Sequence, residues 1–161
     1  MYYSRFNTRF CEVILAGNNR GLTHLHLNTG EGSRQFEINP LWRMDQEFFE
    51  CAKTQILEYF DGKRQSFTVA VNPCGTDFQK KVWKALCMIP YGSLRSYADI
   101  AAAIGNEKAA RAVGAANGKN PIPLIIPCHR VVGADGSLTG FAHGVRIKEK
   151  LIKLEQGQPM N

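Results

Sequence analysis

The 161-residue chain has no apolar run approaching the ~20 residues of a membrane-spanning helix. Its first residues, Met1-Tyr2-Tyr3-Ser4-Arg5-Phe6, hold no long apolar stretch and no cleavage signal. A soluble, unexported protein of the cytoplasm is expected, with no membrane partner. The chain also lacks a Cys-x-x-Cys pair. Its five cysteines, Cys11, Cys51, Cys74, Cys87 and Cys128, are odd in number and widely spaced, which argues for reduced thiols rather than a disulfide framework. His24 and His26 stand two apart in an expected strand, with Cys11 upstream. Alternating histidines on one strand face are more often surface or partly buried residues than zinc ligands, so no metal is expected. Repeats and low-complexity segments are absent. Hydrophobic residues make up 44% and charged residues 21%, close to globular averages, which excludes disorder of the whole chain.

Net charge is absent from one half. Residues 1–76 hold eight Lys/Arg and eight Asp/Glu, whereas residues 77–161 hold twelve and six and so carry the whole net charge of +6. A basic half beside a neutral half points to a polyanionic partner for the C-terminal part, the alternative being a solvated basic surface.

The first part reads as strands followed by a helix. Residues 12–16 are apolar and β-prone, 17–21 signal a turn, and 22–27 alternate apolar and polar, which together predict a β-hairpin. Phe48, Phe49, Ala52, Ile56, Leu57 and Phe60 recur at three- and four-residue spacing and predict a helix over 45–59. Residues 67–71 read as a short strand. Asn72-Pro73-Cys74-Gly75 breaks the pattern and marks a linker over 72–76, between domains at 1–71 and 77–161.

The second part opens with Thr76 and, three residues later, Gln79, a capping box ahead of the apolar stripe Phe78, Val82, Trp83 and Leu86. Short helices are expected over 97–104, with Ser96 as cap, and over 108–117, joined by a turn at Gly105-Asn106. Two short helices across a tight glycine turn make a helix-turn-helix, with a merely packed α-α corner as the alternative. One face of the second helix carries little but alanine and glycine around Arg111, which suits close approach to a groove with one long probe. The overall class is α+β (α/β). Beyond these helices, Ile125-Ile126-Pro127-Cys128-His129-Arg130-Val131-Val132 sets a thiol beside an imidazole. The thiolate is the nucleophilic form, and a neighbouring histidine is a common way to generate it.

Pro127-Cys128-His129-Arg130-Val131, preceded by Asn120-Pro121-Ile122-Pro123 and by the Ala-Ala-Arg-Ala-Val-Gly helix, resembles the O6-alkylguanine-DNA alkyltransferases over residues 78–155. The resemblance implies a ribonuclease H-like N-terminal domain and irreversible, single-turnover transfer of an alkyl group from O6-alkylguanine in double-stranded DNA to Cys128, without a cofactor. His129 would act as base through a water, Glu155 on an amphipathic helix over 146–154 and beyond would orient it, and Tyr97 would supply a proton donor to the guanine and contact a phosphate. Duplex DNA would be met through Arg111, Tyr97, Ala110, Asn117 and Asn120, with the base flipped from the minor groove, Arg111 filling the gap and Asn120 linking the recognition helix to the thiol. Val131, Phe141, Ala142 and His143 would form the base pocket, closed on one side by the loop 136–146. Three of these depart from common family patterns. Phe141 stands where tyrosine is frequent, Ala142 where some members have serine, and His143 where some have glycine, so the pocket should be narrow. Competing readings are a lesion sensor, which Cys128 argues against; a cysteine hydrolase built on Cys-His-Glu; and a transcription factor, for which no dimerisation element is legible, so a monomer is expected.

Overall fold

The structure is a computed structural model that describes residues 1–138 and 140–159. Thr139 of the 136–146 loop and the last two residues of the domain expected over 77–161 lie outside them.

Three strands, β1 (Tyr2–Asn7), β2 (Glu12–Asn18) and β3 (Gly21–Asn28), form an antiparallel meander, and β4 (Arg43–Met44) adds in parallel beside β1. The order is β3-β2-β1-β4, which puts β2 inside. Its residues from Val13 to Ala16 are all buried, as a central strand covered on both faces requires. Val13 and Leu15 face the main core with Leu25 and Leu27. Ile14 and Ala16 lie on the other face, in register with His26 and His24. These two histidines are therefore part of a second packing layer: His26 stacks on Phe36 at 5.2 Å, and His24 lies 5.7 Å from Trp42.

The expected hairpin is present and slightly longer than read, and β1 precedes it unforeseen. The helix expected over 45–59 begins instead with a 3-10 turn, Glu47–Phe49, and becomes α1 only at Glu50–Phe60. Asp45 Oδ1 accepts from the Phe48 N–H and tightens that entry. Residues 67–71 are not a strand. They run along β3 through one parallel bridge, Leu22 to Val71, with Gln55 taking the Thr68 N–H, so side-chain bonding replaces a ladder.

The second part is helical. Helix α2 (Asp77–Leu86) carries the expected Thr76/Gln79 capping box. After β5 (Arg95–Ser96), α3 (Tyr97–Ala103) starts at Ser96, whose side chain and that of Asp99 form a second capping box. Gly105, at φ +77°, takes the left-handed turn between α3 and α4, where a side chain would be strained. Helix α4 (Ala110–Gly118) starts two residues later than the sequence suggests, leaving Lys108 in the turn. Trp83 Nε1 donates to the Ala116 carbonyl at 2.9 Å and pins α4 to α2. The strand β6 (Val131–Val132) pairs in parallel with β5, and α5 (Val145–Glu155) closes the chain, with Ile147, Lys148, Leu151 and Glu155 facing inward. Among the described residues no helix is long and apolar enough to cross a membrane.

Candidate active site

Four stretches of chain converge behind α4. Leu124, at φ +72°, is held in the left-handed region by its complete burial. It bends the chain so that Ile125-Ile126-Pro127 delivers a 3-10 turn, Cys128–Arg130, against α5. All three residues of that turn are buried.

Glu155, at the end of α5, organises what lies around them. Its carboxylate accepts from His129 Nε2 at 2.6 Å, Arg130 Nε at 2.7 Å and Nη2 at 3.0 Å, the Tyr59 hydroxyl at 2.5 Å and the Gly92 N–H at 3.3 Å. Burial pushes this carboxyl up, but the bonds from His129 and Arg130 outweigh it and hold it below the ordinary carboxylate range. A carboxylate accepts only, so His129 carries its proton on Nε2 and presents a lone pair at Nδ1. Among the described residues that buried Nδ1 has no hydrogen-bond partner. Burial keeps the imidazole below its usual pKa despite Glu155, and the nearby charges of Arg130 and Lys148 push the same way. The cluster holds a neutral base aimed by a buried anion.

The thiol of Cys128 is 4% exposed. Burial pushes it up to about 11, opposed by a hydrogen bond from Asn120 and by the charges of Lys148 and Arg34. It rests as a thiol and needs a base to ionise. Asn120 Nδ2 donates to the Ile126 carbonyl at 2.7 Å while its Oδ1 takes the Ile122 N–H at 3.0 Å, which ties the end of α4 to the turn that bears Cys128.

Two profiles of the 6-O-methylguanine DNA methyltransferases match the chain: the ribonuclease-like domain over residues 1–73 and the DNA-binding domain over residues 77–157. A methylated-DNA–protein-cysteine methyltransferase of Methanosarcina barkeri is 51% identical over 156 residues, covering 97% of this chain and 98% of that protein. The chain belongs to this methyltransferase family. The constitutive enzyme of that name from Bacillus subtilis is 42% identical over 96% of this chain and 95% of its own. A crystal structure of Mycobacterium tuberculosis OGT in complex with DNA superposes with a TM-score of 0.89 at 42% identity, covering 99% of this chain and 96% of that one.

The other expected site residues fall into three groups. Arg111 is exposed on α4, with Ala110 half-buried beside it. Tyr97 is half-buried at the start of α3. A methyl group built on Gly114 would touch its ring, and one on Gly140 would sit 3.4 Å from its hydroxyl, so it stands between α4 and the 136–146 loop. Val131, Phe141 and His143 are buried and Ala142 partly so. The phenyl ring of Phe141 lies 5.7 Å from His143, which is itself 5.2 Å from His26 of β3.

Asn117 and Asn120 require correction as DNA contacts. Both are buried, and Asn117 Nδ2 points to the Cys128 carbonyl at 3.4 Å. Asn117 lies on the inward face of α4 and Asn120 two residues beyond its end, so they connect the helix to the thiol turn from inside.

The sequence reading missed Tyr59, Arg130, Gly92, Lys148 and Arg34. Arg130 stands inside the Pro-Cys-His-Arg-Val motif, a signal that was available. The others have none locally. Arg34 Nη2 donates to the carbonyls of Gly118 at 2.8 Å and Asn120 at 3.1 Å, while its N–H bonds the Ala142 carbonyl at 2.9 Å. With Thr29 Oγ1 donating to the His143 carbonyl at 2.6 Å, residues 29–34 strap the N-terminal part onto the loop 136–146.

Proposed function

We propose that this chain is a single-use DNA repair protein that moves the alkyl group of O6-alkylguanine in a duplex onto Cys128. Membership of the family supplies the activity class, methyl transfer from DNA to a protein cysteine, and DNA as partner. The residue assignment is supported by one observation above the rest: Cys128 shares a buried turn with His129, whose Nε2 is held by Glu155 and whose Nδ1 lone pair is unused.

In this reading the Cys128 proton passes to His129 Nδ1 through one bridging water, and the imidazolium so formed is stabilised by Glu155. The thiolate attacks the alkyl carbon. The carbon–O6 bond breaks, its electron pair stays on the guanine, and the base ends with a proton it lacked as the alkylated form. Tyr97 donates toward the guanine as charge develops, and the proton that His129 took from Cys128 restores it, so the imidazole returns to neutral and the thiol proton is in effect passed to the guanine. The sulfur keeps the alkyl group as a thioether, so no second turnover occurs. The target base must leave the stack to reach a buried sulfur, with Arg111 entering from the minor groove in its place. Val131, Phe141, Ala142 and His143 wall the flipped base. The protein acts as a monomer and without a cofactor.

Cys128→Ala tests the assignment. It should abolish transfer from a duplex carrying O6-methylguanine while leaving duplex binding within about threefold, since phosphate contacts dominate affinity. Transfer that survives in Cys128→Ala would move the acceptor to another of the five cysteines.

A further inference from the structure

One buried charge has no part in that mechanism. Lys148 is fully buried on α5, and among the described residues its Nζ has no hydrogen-bond partner. Burial of an ammonium without a partner is costly enough that such groups are normally paired or displaced. The Nζ lies 5.9 Å from the centre of the Phe141 ring, at the wall of the pocket loop. Phenylalanine offers it no hydroxyl. Lys148 and Glu155 are seven residues apart, two helical turns, and so share the inward face of α5. That face packs against the turn Cys128–Arg130. At one end Glu155 holds His129. At the other, Lys148 and Cys128 each shift the other's titration, the lysine favouring the thiolate and the sulfur favouring the ammonium.

We propose that Lys148 is a positioning residue for the reaction: its ammonium is the counter-charge that meets the Cys128 thiolate when the thiol proton leaves for His129. Helix α5 then serves both ends of the proton transfer, with an anion behind the base and a cation facing the sulfur. The other groups that act on the sulfur are Asn120 by hydrogen bond, Arg34 from the 29–34 strap, and Tyr97 at the start of α3. Of the two cations, only Lys148 lacks a hydrogen-bond partner among the described residues, because Arg34 is spent on the carbonyls of Gly118 and Asn120. The idea rests on Cys128 as the nucleophile.

Iodoacetamide labelling of the Cys128 peptide in the intact protein, followed by mass at pH 8, tests it without DNA. Below the thiol pKa the rate follows the thiolate population, so loss of one pKa unit of stabilisation slows labelling about tenfold. Lys148→Met should slow labelling at least about tenfold with an unchanged or raised Tm, since an unpaired buried charge is replaced by an apolar chain of similar length. Lys148→Arg should retain most of the labelling. Unchanged or faster labelling in Lys148→Met would mean that the lysine only packs, and would overturn the proposal. A second measurement reads the sulfur directly, by following the ultraviolet absorbance of the thiolate against pH, with Cys128→Ser as the blank. The Cys128 midpoint should rise in Lys148→Met, and an unchanged midpoint would overturn the proposal equally. If Lys148→Met slows labelling as expected but the wild type takes no methyl from DNA, the proposed function fails while the pairing of Lys148 with the Cys128 thiolate stands.

Discussion

Replacing Glu155 by Gln tests the electrostatic arrangement at the centre of the site. The change keeps the shape and removes the charge, so the Arg130 guanidinium stays 7% exposed with the Ile89 carbonyl but without an anion. The new amide NH2 also faces donors on Arg130, Tyr59, His129 or Gly92, whichever way it turns. Removing one member of a buried pair costs about 3–5 kcal/mol. For a chain of this size 1 kcal/mol moves Tm by about 2–4 °C, so a fall of about 6–20 °C is expected in calorimetry. Urea unfolding should show the same loss as a lowered midpoint at unchanged slope. Removing Arg130 as well, in Glu155→Gln/Arg130→Met, should recover most of the loss, to within about 1–2 kcal/mol of the wild type, because no unpaired charge remains. Methyl transfer should fall in both variants, since His129 loses its anionic partner in each. A loss below about 1 kcal/mol in the single variant, or additive losses in the double, would refute the reasoning.

Further outcomes follow from the same geometry. His143, buried against His26 and Phe141, should make reaction with O6-benzylguanine slower than with O6-methylguanine, and His143→Gly should narrow the gap; equal rates in the wild type would show that the side chain does not limit the pocket. Burial, with His26 and Arg34 nearby, holds His143 down to about 3, below an unfolded value near 6.5, so the fold favours the neutral ring. That stabilisation is complete above about pH 6.5 and is lost as pH falls toward 3, amounting to about 2–3 kcal/mol at pH 4.5; His143→Gln should lack this part of the acid loss in urea titrations. Gly32 lies at φ +80°, and a Cβ there would come 2.3 Å from the Ala142 carbonyl. Gly32→Ala should therefore displace the 29–34 strap and slow transfer from DNA while leaving duplex binding near wild type, as rate and affinity measured side by side would show. Arg111→Ala should slow repair of a duplex more than reaction with the free modified base, and equal losses on both would remove its role in flipping.

Much of this site could be read from single short segments. Pro127-Cys128-His129-Arg130-Val131 marked the proposed nucleophile and its proposed base, and the capping residues Thr76, Gln79 and Ser96 marked where α2 and α3 begin, because each signal is local in the chain. The central strand was legible from its apolar run and its turn. Strand β1 was missed although Ser4 and Phe6 alternate inward, since Arg5, Asn7 and two tyrosines dilute the pattern. The start of α1 slipped because the same apolar spacing fits a 3-10 turn followed by a helix. Asn117 was expected at the DNA, and its burial on the inward face of α4 was not legible, since a short alanine-rich helix gives little to orient it. Tyr59, Gly92, Arg130 and Glu155 meet only through the tertiary fold, over separations of up to 96 residues. Lys148 reads in sequence as one more solvated lysine of an amphipathic helix. Its burial is a consequence of how α5 seats on the Cys128 turn.

The most direct test of the account mixes the protein with a duplex carrying a single O6-methylguanine and follows the masses of its cysteine peptides. The account predicts one added methyl group on the Cys128 peptide, stopping at one per protein molecule, with guanine restored in the DNA. Tight binding with no change in mass, or a methyl group on Cys11, Cys51, Cys74 or Cys87 instead, would contradict it.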